Sequence, residues 1–100
     1  MQSGEARMTA AGEVRHDERR RRFELEEEGA TGFLTYQLRD GAIVFTHTIV
    51  PPELEGRGIG GRIVRAGLDF ARAQGLKVVP QCSFVRAYIE RHPDQQDLLA

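Results

Sequence analysis

The chain has 100 residues, of which 40% are hydrophobic and 29% are charged, and its formal net charge is -1. This length allows one hydrophobic core and excludes two, and the composition is that of a globular protein rather than a disordered or fibrous one. A net charge so close to zero excludes a chain-wide positive field that would gather nucleic acid, so we expect no nucleic-acid partner.

The first residues lack the periodicity of a helix or a strand. We therefore predict a disordered tail over residues 1–15 and a single domain over residues 16–100. The tail has no apolar core of a signal peptide, and no window approaches the roughly 20 apolar residues of a membrane span. The one cysteine, Cys82, cannot form an internal disulfide. A reducing, cytoplasmic location without a membrane partner is the simplest interpretation.

An antiparallel meander of three strands is predicted over residues 23–28, 33–38 and 42–50. In the first strand Phe23 and Leu25 alternate with glutamates, as a half-buried strand requires. A turn is expected over residues 29–32, and Asp40 followed by Gly41 is typical of a hairpin turn. The third strand has β-branched residues on both faces, which favours a central position in the sheet.

A basic run, Arg19–Arg22, precedes the first predicted strand. Two interpretations are open, a solvated strand entrance beside neutralising glutamates or a nucleic-acid patch. No aromatic residues are interleaved with the arginines to stack on bases, so the sequence favours the solvated entrance.

After the third strand the hydrophobic period changes to that of an amphipathic helix. The remaining predicted elements are a helix from about Ile59 to a cap at Gly75, a strand over 76–82, a second helix over 84–91 capped by Ser83 and ended at His92, and a last turn over 94–99. A helix that connects two strands of one sheet implies that they pair in parallel. The order βββαβα indicates an α/β fold.

A glycine-rich turn, Glu55–Gly61, separates the third strand from the first helix. Such a turn exposes unpaired backbone N–H groups at the positive end of a helix, which is an anion site, and Arg57 and Arg62 could add charge-assisted contacts. Taken alone, the glycines are equally compatible with a flexible turn and close helix packing. The sequence disfavours a P-loop, because Arg62 follows the last two glycines in place of Lys and Ser or Thr.

The turn and its surroundings resemble the GNAT superfamily of acetyl-coenzyme A-dependent N-acetyltransferases. The superfamily signature Val-x-Pro-x-x-[Gln/Arg]-x-x-Gly-x-[Gly/Ala] is matched at Val50, Pro52, Gly58 and Gly60, with Glu55 where Gln or Arg is usual. Two longer motifs, His47–Glu53 and Pro80–Pro93, resemble a very short single-domain subfamily. These spaced motifs are far more specific than the glycines.

The resemblance implies a GNAT-like mixed sheet in which an antiparallel βββ meander is followed by α-β-α, a minimal version without the usual early helices and closing hairpin. It implies direct transfer of an acetyl group from acetyl-CoA to an amine acceptor, either a small molecule or a protein or peptide. The alternative is an acyl-CoA or CoA-binding regulatory module with little transfer activity, because the missing parts normally wall the acceptor site. An exposed sheet edge makes a homodimer conceivable.

The resemblance also assigns cofactor-binding residues for acetyl-CoA or coenzyme A. The pyrophosphate would sit on the N–H groups of residues 56–61, and the pantetheine arm would run beside residues 48–50. The assigned residues are Ile49, Val50, Gly56, Arg57, Gly58, Ile59, Gly60, Gly61 and Arg62.

Three residues are candidates for catalysis, and each has a structural alternative. Tyr88 could protonate the departing thiolate or simply pack on the sheet. Cys82 could line the thioester, form an acyl-enzyme, or be a buried structural thiol. His47 could act as a general base through water or be a structural imidazole, and Glu53 and Glu55 are alternative bases. The dispersed histidines and single cysteine do not have metal-site spacing, so we expect no metal.

Overall fold

The computed structural model describes residues 12–100. The elements in chain order are β1 (Val14–Asp17), β2 (Arg22–Glu27), β3 (Ala30–Arg39), β4 (Ala42–Ile49), α1 (Ile59–Gln74), β5 (Lys77–Pro80) and α2 (Ser83–Arg91). Short 3-10 helices follow β4 and α2, at Pro52–Leu54 and Pro93–Leu98. The predicted order βββαβα is present, with one additional strand at its start.

The five strands form one mixed sheet in the order β1-β2-β3-β4-β5. Strands β1 to β4 pair antiparallel, and β4 pairs with β5 in parallel, as the crossover helix α1 requires. The GNAT-like mixed sheet and the internal position of β4 are therefore confirmed. On the outer side of β5, the N–H of Ala100 donates to the carbonyl of Val78 at 3.0 Å, so the C-terminus covers part of that edge.

Strand β1 corrects the boundary predicted between tail and domain. Val14 and Arg15, assigned to the tail, pair with β2. The strand was missed because it is short and its second inward residue is His16 rather than an aliphatic residue. The imidazole packs as an aromatic ring, stacked on Phe23 with 4.1 Å between ring centroids. Gly12, also in the predicted tail, donates its N–H to the carbonyl of Glu26 at 3.0 Å, and residues 1–11 lie outside the described residues.

The turn between β2 and β3 is also shorter than predicted. It consists of Glu28 and Gly29, both with positive φ, and not of residues 29–32. Gly32 lies within β3 instead, where a Cβ would stand 3.3 Å from the Cδ1 atom of Ile63 on α1. This glycine therefore allows close packing of the helix on the sheet. The predicted hairpin at Asp40 and Gly41 is confirmed.

Helix α1 packs across one face of the sheet, and α2 packs beside the N-terminal end of α1. Gly75 ends α1 in the left-handed conformation, as predicted, with φ 68°. Among residues 12–100, no helix is long and apolar enough to cross a membrane. The buried residues that form the core on this face are Phe23, Leu25, Leu34, Tyr36, Ile43, Phe45, Leu54, Ile59, Ile63, Val64, Leu68, Ala71, Val78, Val85, Tyr88, Ile89 and Leu98.

The opposite face of the sheet, which we call the distal face, carries polar and charged side chains. Residues that stand directly opposite each other on neighbouring antiparallel strands share a face. The register therefore gives two rows across β1 to β4, namely Arg15, Glu24, Phe33 and Ile49, and next to it Asp17, Arg22, Thr35 and His47.

Candidate functional site

An open groove with a volume of about 460 Å³ lies where β4 ends and α1 begins. Pro51 and Pro52 end the strand, and the 3-10 helix that follows is anchored by Leu54, which is 1% exposed. This anchor directs the chain into the glycine-rich turn along the groove. The groove is lined by Thr48, Val50, Leu54, Glu55, Gly56, Gly58, Ile59, Gly60, Gly61 and Phe84.

Helix α1 begins at the groove without a side-chain cap. Its N-cap residue is Gly58, in the left-handed conformation, and the first N–H bonded back to it is that of Arg62, at 3.2 Å. The N–H groups of Ile59, Gly60 and Gly61 therefore have no acceptor within the helix. They stand at the positive end of a 16-residue helix, which favours binding of an anion.

Glycine is needed at different positions of the turn for different structural reasons. Gly56 and Gly58 have positive φ, and a Cβ on either would meet no atom within 4 Å, so open space lies beside the backbone there. Gly60 is different, because its Cβ would stand 2.6 Å from the Cζ atom of Phe84. The absence of a side chain at Gly60 thus allows α2 to pack against α1, while Gly56 and Gly58 leave room for a ligand.

The two arginines predicted to contact phosphate have other partners. The Nη1 and Nη2 atoms of Arg57 lie 3.4 Å from Glu27 Oε2 and 3.2 Å from Glu28 Oε1. Arg62 donates a hydrogen bond to the carbonyl of Gly12. Neither side chain lines the groove, and neither does that of Ile49, on the distal face. The predicted cofactor residues that do line it are Val50, Gly56, Gly58, Ile59, Gly60 and Gly61.

Strands β4 and β5 separate at the groove. Strand β5 pairs with β4 only as far as Phe45, whose carbonyl accepts the last hydrogen bond, from the N–H of Cys82 at 3.0 Å. Strand β4 continues to Ile49, and over residues 46–49 no described strand flanks it on the β5 side. A β-bulge leaves Thr46 unpaired at the point of separation. This free edge can accept an extended ligand as an added strand.

Cys82 lies at the separation point and is the N-cap residue of α2. Its sulfur is 3.1 Å from the Oγ1 atom of Thr48, which lines the groove. Burial opposes ionisation of the thiol, but hydrogen bonds from the Thr48 hydroxyl and from the backbone N–H groups of Val85, Phe84 and Thr48 outweigh it. The pKa of Cys82 is therefore held below its usual value, and the thiolate is favoured.

The structure does not bring His47 and Tyr88 into the groove lining. His47 is exposed on the distal face, beside the bulge. Tyr88 is 8% exposed, and its ring stacks on His92 with 3.9 Å between centroids. The same ring lies against α1, 3.6 Å from the position of a Cβ on Gly61. Among the three catalytic candidates, only Cys82 has a side-chain hydrogen bond to a groove residue within the described part of the chain.

Four groove residues are not among the cofactor-binding residues assigned from the sequence, namely Thr48, Leu54, Glu55 and Phe84. Phe84 is 39% exposed and closes the groove from the side of α2. The sequence signal for Phe84 is an apolar residue in the first turn of α2, two positions after Cys82, where the helix faces both solvent and α1. Among the described residues, no three His, Cys, Asp or Glu side chains are grouped so that they could hold a metal ion.

Comparisons with known proteins agree with this geometry. The family model of the GCN5-related N-acetyl-transferase matches residues 22–98. Protein NATD1 of Homo sapiens is 35% identical over 88 residues, which cover 85% of this chain and 78% of the relative. Protein NATD1 of Gallus gallus is 34% identical over 89 residues, with 86% and 81% covered.

A solved structure has the same fold. It is the solution structure of a GCN5-like protein from Staphylococcus aureus, which is 29% identical and superposes with a TM-score of 0.72 over 92% of this chain and 91% of the other. Strands β2 to β5 and the helices α1 and α2, which include all the elements that build the groove, lie within residues 22–98. The chain belongs to the GCN5-related N-acetyltransferase family.

Proposed function

We propose that this chain binds acetyl-CoA in the groove and catalyses transfer of its acetyl group to an amine. One observation carries the proposal: the uncapped N-terminus of α1 adjoins the unpaired edge of β4. The N-terminus of the helix suits a pyrophosphate, and the unpaired strand edge suits the amide-containing pantetheine arm. The empty space beside Gly56 and Gly58 supports the fit, because side chains there would occupy it.

In this proposal the chain holds the ligand mainly through its backbone. The N–H groups of Ile59, Gly60 and Gly61 donate to the pyrophosphate, with the helix dipole adding to the attraction. The pantetheine arm pairs with residues 46–50 of the free β4 edge. Arg57 and Arg62 contact phosphate only after leaving the partners that hold them, Glu27 and Glu28 for Arg57 and the Gly12 carbonyl for Arg62.

Acetyl-CoA, when bound, supplies an acetyl group activated as a thioester. A backbone N–H near Ile49 or Val50 donates to the carbonyl oxygen and stabilises the negative charge that develops there. In the transfer a bond forms between the amine nitrogen and the carbonyl carbon, and the carbon–sulfur bond breaks. Such catalysis depends chiefly on proximity, which a domain with few polar side chains can supply.

Two protons must move in this reaction. The amine loses one, and we assign its removal to His47 through a water molecule, because His47 lies on the distal face beside the point where β4 and β5 separate. The departing thiolate gains one, and we assign its donation to Tyr88, for which the ring position beside Gly61 is the support. Glu53 and Glu55 are alternative bases.

We place Cys82 beside the thioester and propose direct transfer to the amine. A covalent route is the alternative, since a favoured thiolate can attack the carbonyl carbon. The Cys82 sulfur would then gain the acetyl group as the thiol of coenzyme A leaves, and the amine would take the group in a second step. The contact with Thr48 and the lowered pKa support either position of Cys82.

A second candidate function is a CoA-binding module with little transfer activity. The observation in its favour is that His47 and Tyr88 are both absent from the groove lining. The two functions share the binding site and differ in whether product forms.

Incubation with acetyl-CoA and a panel of amines and peptides tests the proposal, with free thiol and acetylated amine measured separately. Product on an amine supports the transferase, and binding without any product supports the module. A mass gain on Cys82 that disappears in Cys82→Ala supports the covalent route. Undiminished amine acetylation by Cys82→Ala excludes that route, and an unchanged rate in Tyr88→Phe removes the assigned acid.

A further inference from the structure

We propose that the acceptor carries a carboxylate besides its amine, and that Arg22 and Arg15 bind this carboxylate on the distal face. This inference rests on the proposed function, because it names a class of substrate for the same site. The structural feature behind it is a pair of arginines held by one buried glutamate, on the face of the sheet where His47 stands.

The glutamate is Glu24, whose side chain is 7% exposed. Its Oε1 atom accepts a hydrogen bond from Arg15 Nη2 at 2.7 Å, and its Oε2 atom accepts one from Arg22 Nε at 2.5 Å. Burial disfavours the charged carboxylate, but the hydrogen bonds and charges of the two arginines outweigh this effect and lower the pKa of Glu24. One negative charge thus stands between two positive charges, which leaves a net charge of +1 on these three side chains. Asp17, which stands opposite Arg22 on β1, is paired with Arg20 at 3.8 Å, so including this ion pair leaves the net charge at +1.

The Arg22 guanidinium has N–H donors that do not contact Glu24. Its contact with Glu24 uses Nε, and within residues 12–100 neither Nη group has an acceptor. The guanidinium lies over the ring of Phe33, with Cζ 4.7 Å from the ring centroid. The glutamate and the ring together fix its orientation, so the planar fork of N–H groups is held ready for a planar anion. Arg22 is 26% exposed and Arg15 is 55% exposed, so solvent reaches both.

The position of this pair relative to β4 sets the length of the acceptor. Phe33 lies on β3, and its direct neighbour on β4 is Ile49, which is 49% exposed. Neighbouring strands are about 4.8 Å apart. A carboxylate on Arg22 is therefore one to two strand spacings, on the order of 5 to 10 Å, from an amine beside β4. This separation exceeds that in an α-amino acid and fits a δ-amino acid or a short peptide.

A carboxylate fits this pair better than a nucleic-acid backbone does. The net charge of the trio is small. The other arginines of the basic run, Arg19–Arg21, lie in the turn between β1 and β2, and on the side toward β4 the neighbouring surface is apolar at Phe33 and Ile49. Nucleic-acid binding would need several further cations in reach of successive phosphates. A single planar carboxylate needs only one oriented guanidinium fork, with apolar atoms alongside for the carbon chain.

The test uses a product analogue, so that it does not depend on turnover. Protein saturated with coenzyme A is titrated with 5-acetamidopentanoate while the backbone amide shifts are recorded. We expect saturable shifts at residues 22–24 and 33, and none with the corresponding carboxamide. Arg22→Gln should weaken binding of the acid about tenfold or more, as expected for loss of a charge-assisted contact.

Matched variants separate recognition from folding. Arg39→Gln removes another arginine of the distal face, one that contacts Gln37 and not Glu24, and should leave binding unchanged. Arg22→Lys keeps the charge but not the planar fork and should bind with an intermediate loss.

Equal shifts by the acid and the carboxamide would overturn the proposal, as would undiminished binding in Arg22→Gln. Inorganic phosphate that competed as well as the acid would also contradict a carboxylate site. Shifts caused by coenzyme A itself at residues 46–61 report the proposed function separately.

Discussion

The hydroxyl oxygen of Thr48 lies 3.1 Å from the sulfur of Cys82 and links β4 to the start of α2 at the edge of the groove. The two residues are 34 positions apart in sequence, so only the parallel pairing of β4 and β5 brings them together. Thr48 also lines the groove, which places the thiol next to any ligand bound along β4.

Removal of this hydrogen bond should make Cys82 less reactive. In Thr48→Val the thiolate loses a donor, so the pKa of Cys82 rises and less thiolate is present at neutral pH. One hydrogen bond contributes about 0.5 to 1.5 kcal/mol, which corresponds to alkylation that is about two- to tenfold slower. The measurement is the rate of reaction with iodoacetamide between pH 6 and 9.

Thr46→Val is the control for that variant. Thr46 is on the same strand, but its hydroxyl contacts Thr35 at 2.6 Å and not Cys82. Its alkylation rate should equal that of the unchanged protein. A Thr48→Val rate as fast as the control would contradict the assigned role of the hydroxyl.

The packing of Phe84 on α1 predicts opposite effects for two adjacent glycines. Gly60→Ala should destabilise the protein by about 1 to 3 kcal/mol, because the new methyl group would overlap Phe84 at 2.6 Å. Gly61→Ala should be neutral or stabilising by up to about 1 kcal/mol, since its Cβ would stand at an ordinary 3.6 Å from Tyr88 and alanine favours the helix. Urea unfolding measures both free energies.

The double variant with Phe84→Ala identifies the cause. Once the ring is removed, Gly60→Ala should cost little or nothing. If the cost of Gly60→Ala in that background equals its cost in the unchanged protein, the ring contact is not its source.

The second half of the fold could be predicted from the sequence because its signals are local. The period of apolar residues after Ile59 and the glycine at position 75 specify α1, and a helix between two strands requires parallel pairing. Strand β1 gave no such signal, because one of its two inward positions is His16. An imidazole that stacks on Phe23 and bonds to Tyr36 serves as a core aromatic residue only in the folded chain.

The backbone of the candidate site could be predicted from the sequence, but the contacts of its side chains could not. The turn at residues 56–61 was recognised because its glycines and its position before a helix are visible in the sequence. The ion pairs of Arg57 with Glu27 and Glu28 depend on the distance between a hairpin and a loop that are 30 positions apart. The same holds for Phe84, whose place in the groove follows from tertiary packing.

His16 should make stability depend on pH in the mildly acidic range. Burial lowers its pKa below the usual 6.5, so the folded protein takes up this proton less readily than the unfolded chain. The free energy of unfolding therefore falls as pH drops below about 6.5 and continues to fall until the folded-state pKa is passed. Unfolding in urea at pH 7.5 and 5.5 measures the change.

A variant at the same position isolates this contribution. His16→Phe keeps a ring on Phe23 but cannot titrate, so it should lose less stability than the unchanged protein between the two pH values. His47→Gln, at an exposed position, should retain the full loss. Equal losses in His16→Phe and the unchanged protein would show that another group titrates.

Arg57 should contribute to binding of phosphate-containing ligands only. Arg57→Gln should weaken binding of coenzyme A about two- to tenfold, as for a partly exposed charge-assisted contact, and leave binding of pantetheine unchanged. Glu28→Gln should have the opposite effect, because it releases Arg57 from a competing partner at 3.2 Å. Calorimetric titration measures both. Identical coenzyme A affinities in all three proteins would exclude Arg57 from the site.

Titration with acetyl-CoA, followed by backbone amide shifts, tests most directly whether the groove is a coenzyme site. We expect the largest shifts at the uncapped amides of Ile59, Gly60 and Gly61 and along residues 46–50, with saturation. Coenzyme A should reproduce the shifts at the helix N-terminus, and pantetheine should reproduce only those along β4. Shifts that are absent from residues 46–62 would contradict acetyl-CoA binding in this groove and the transfer that depends on it.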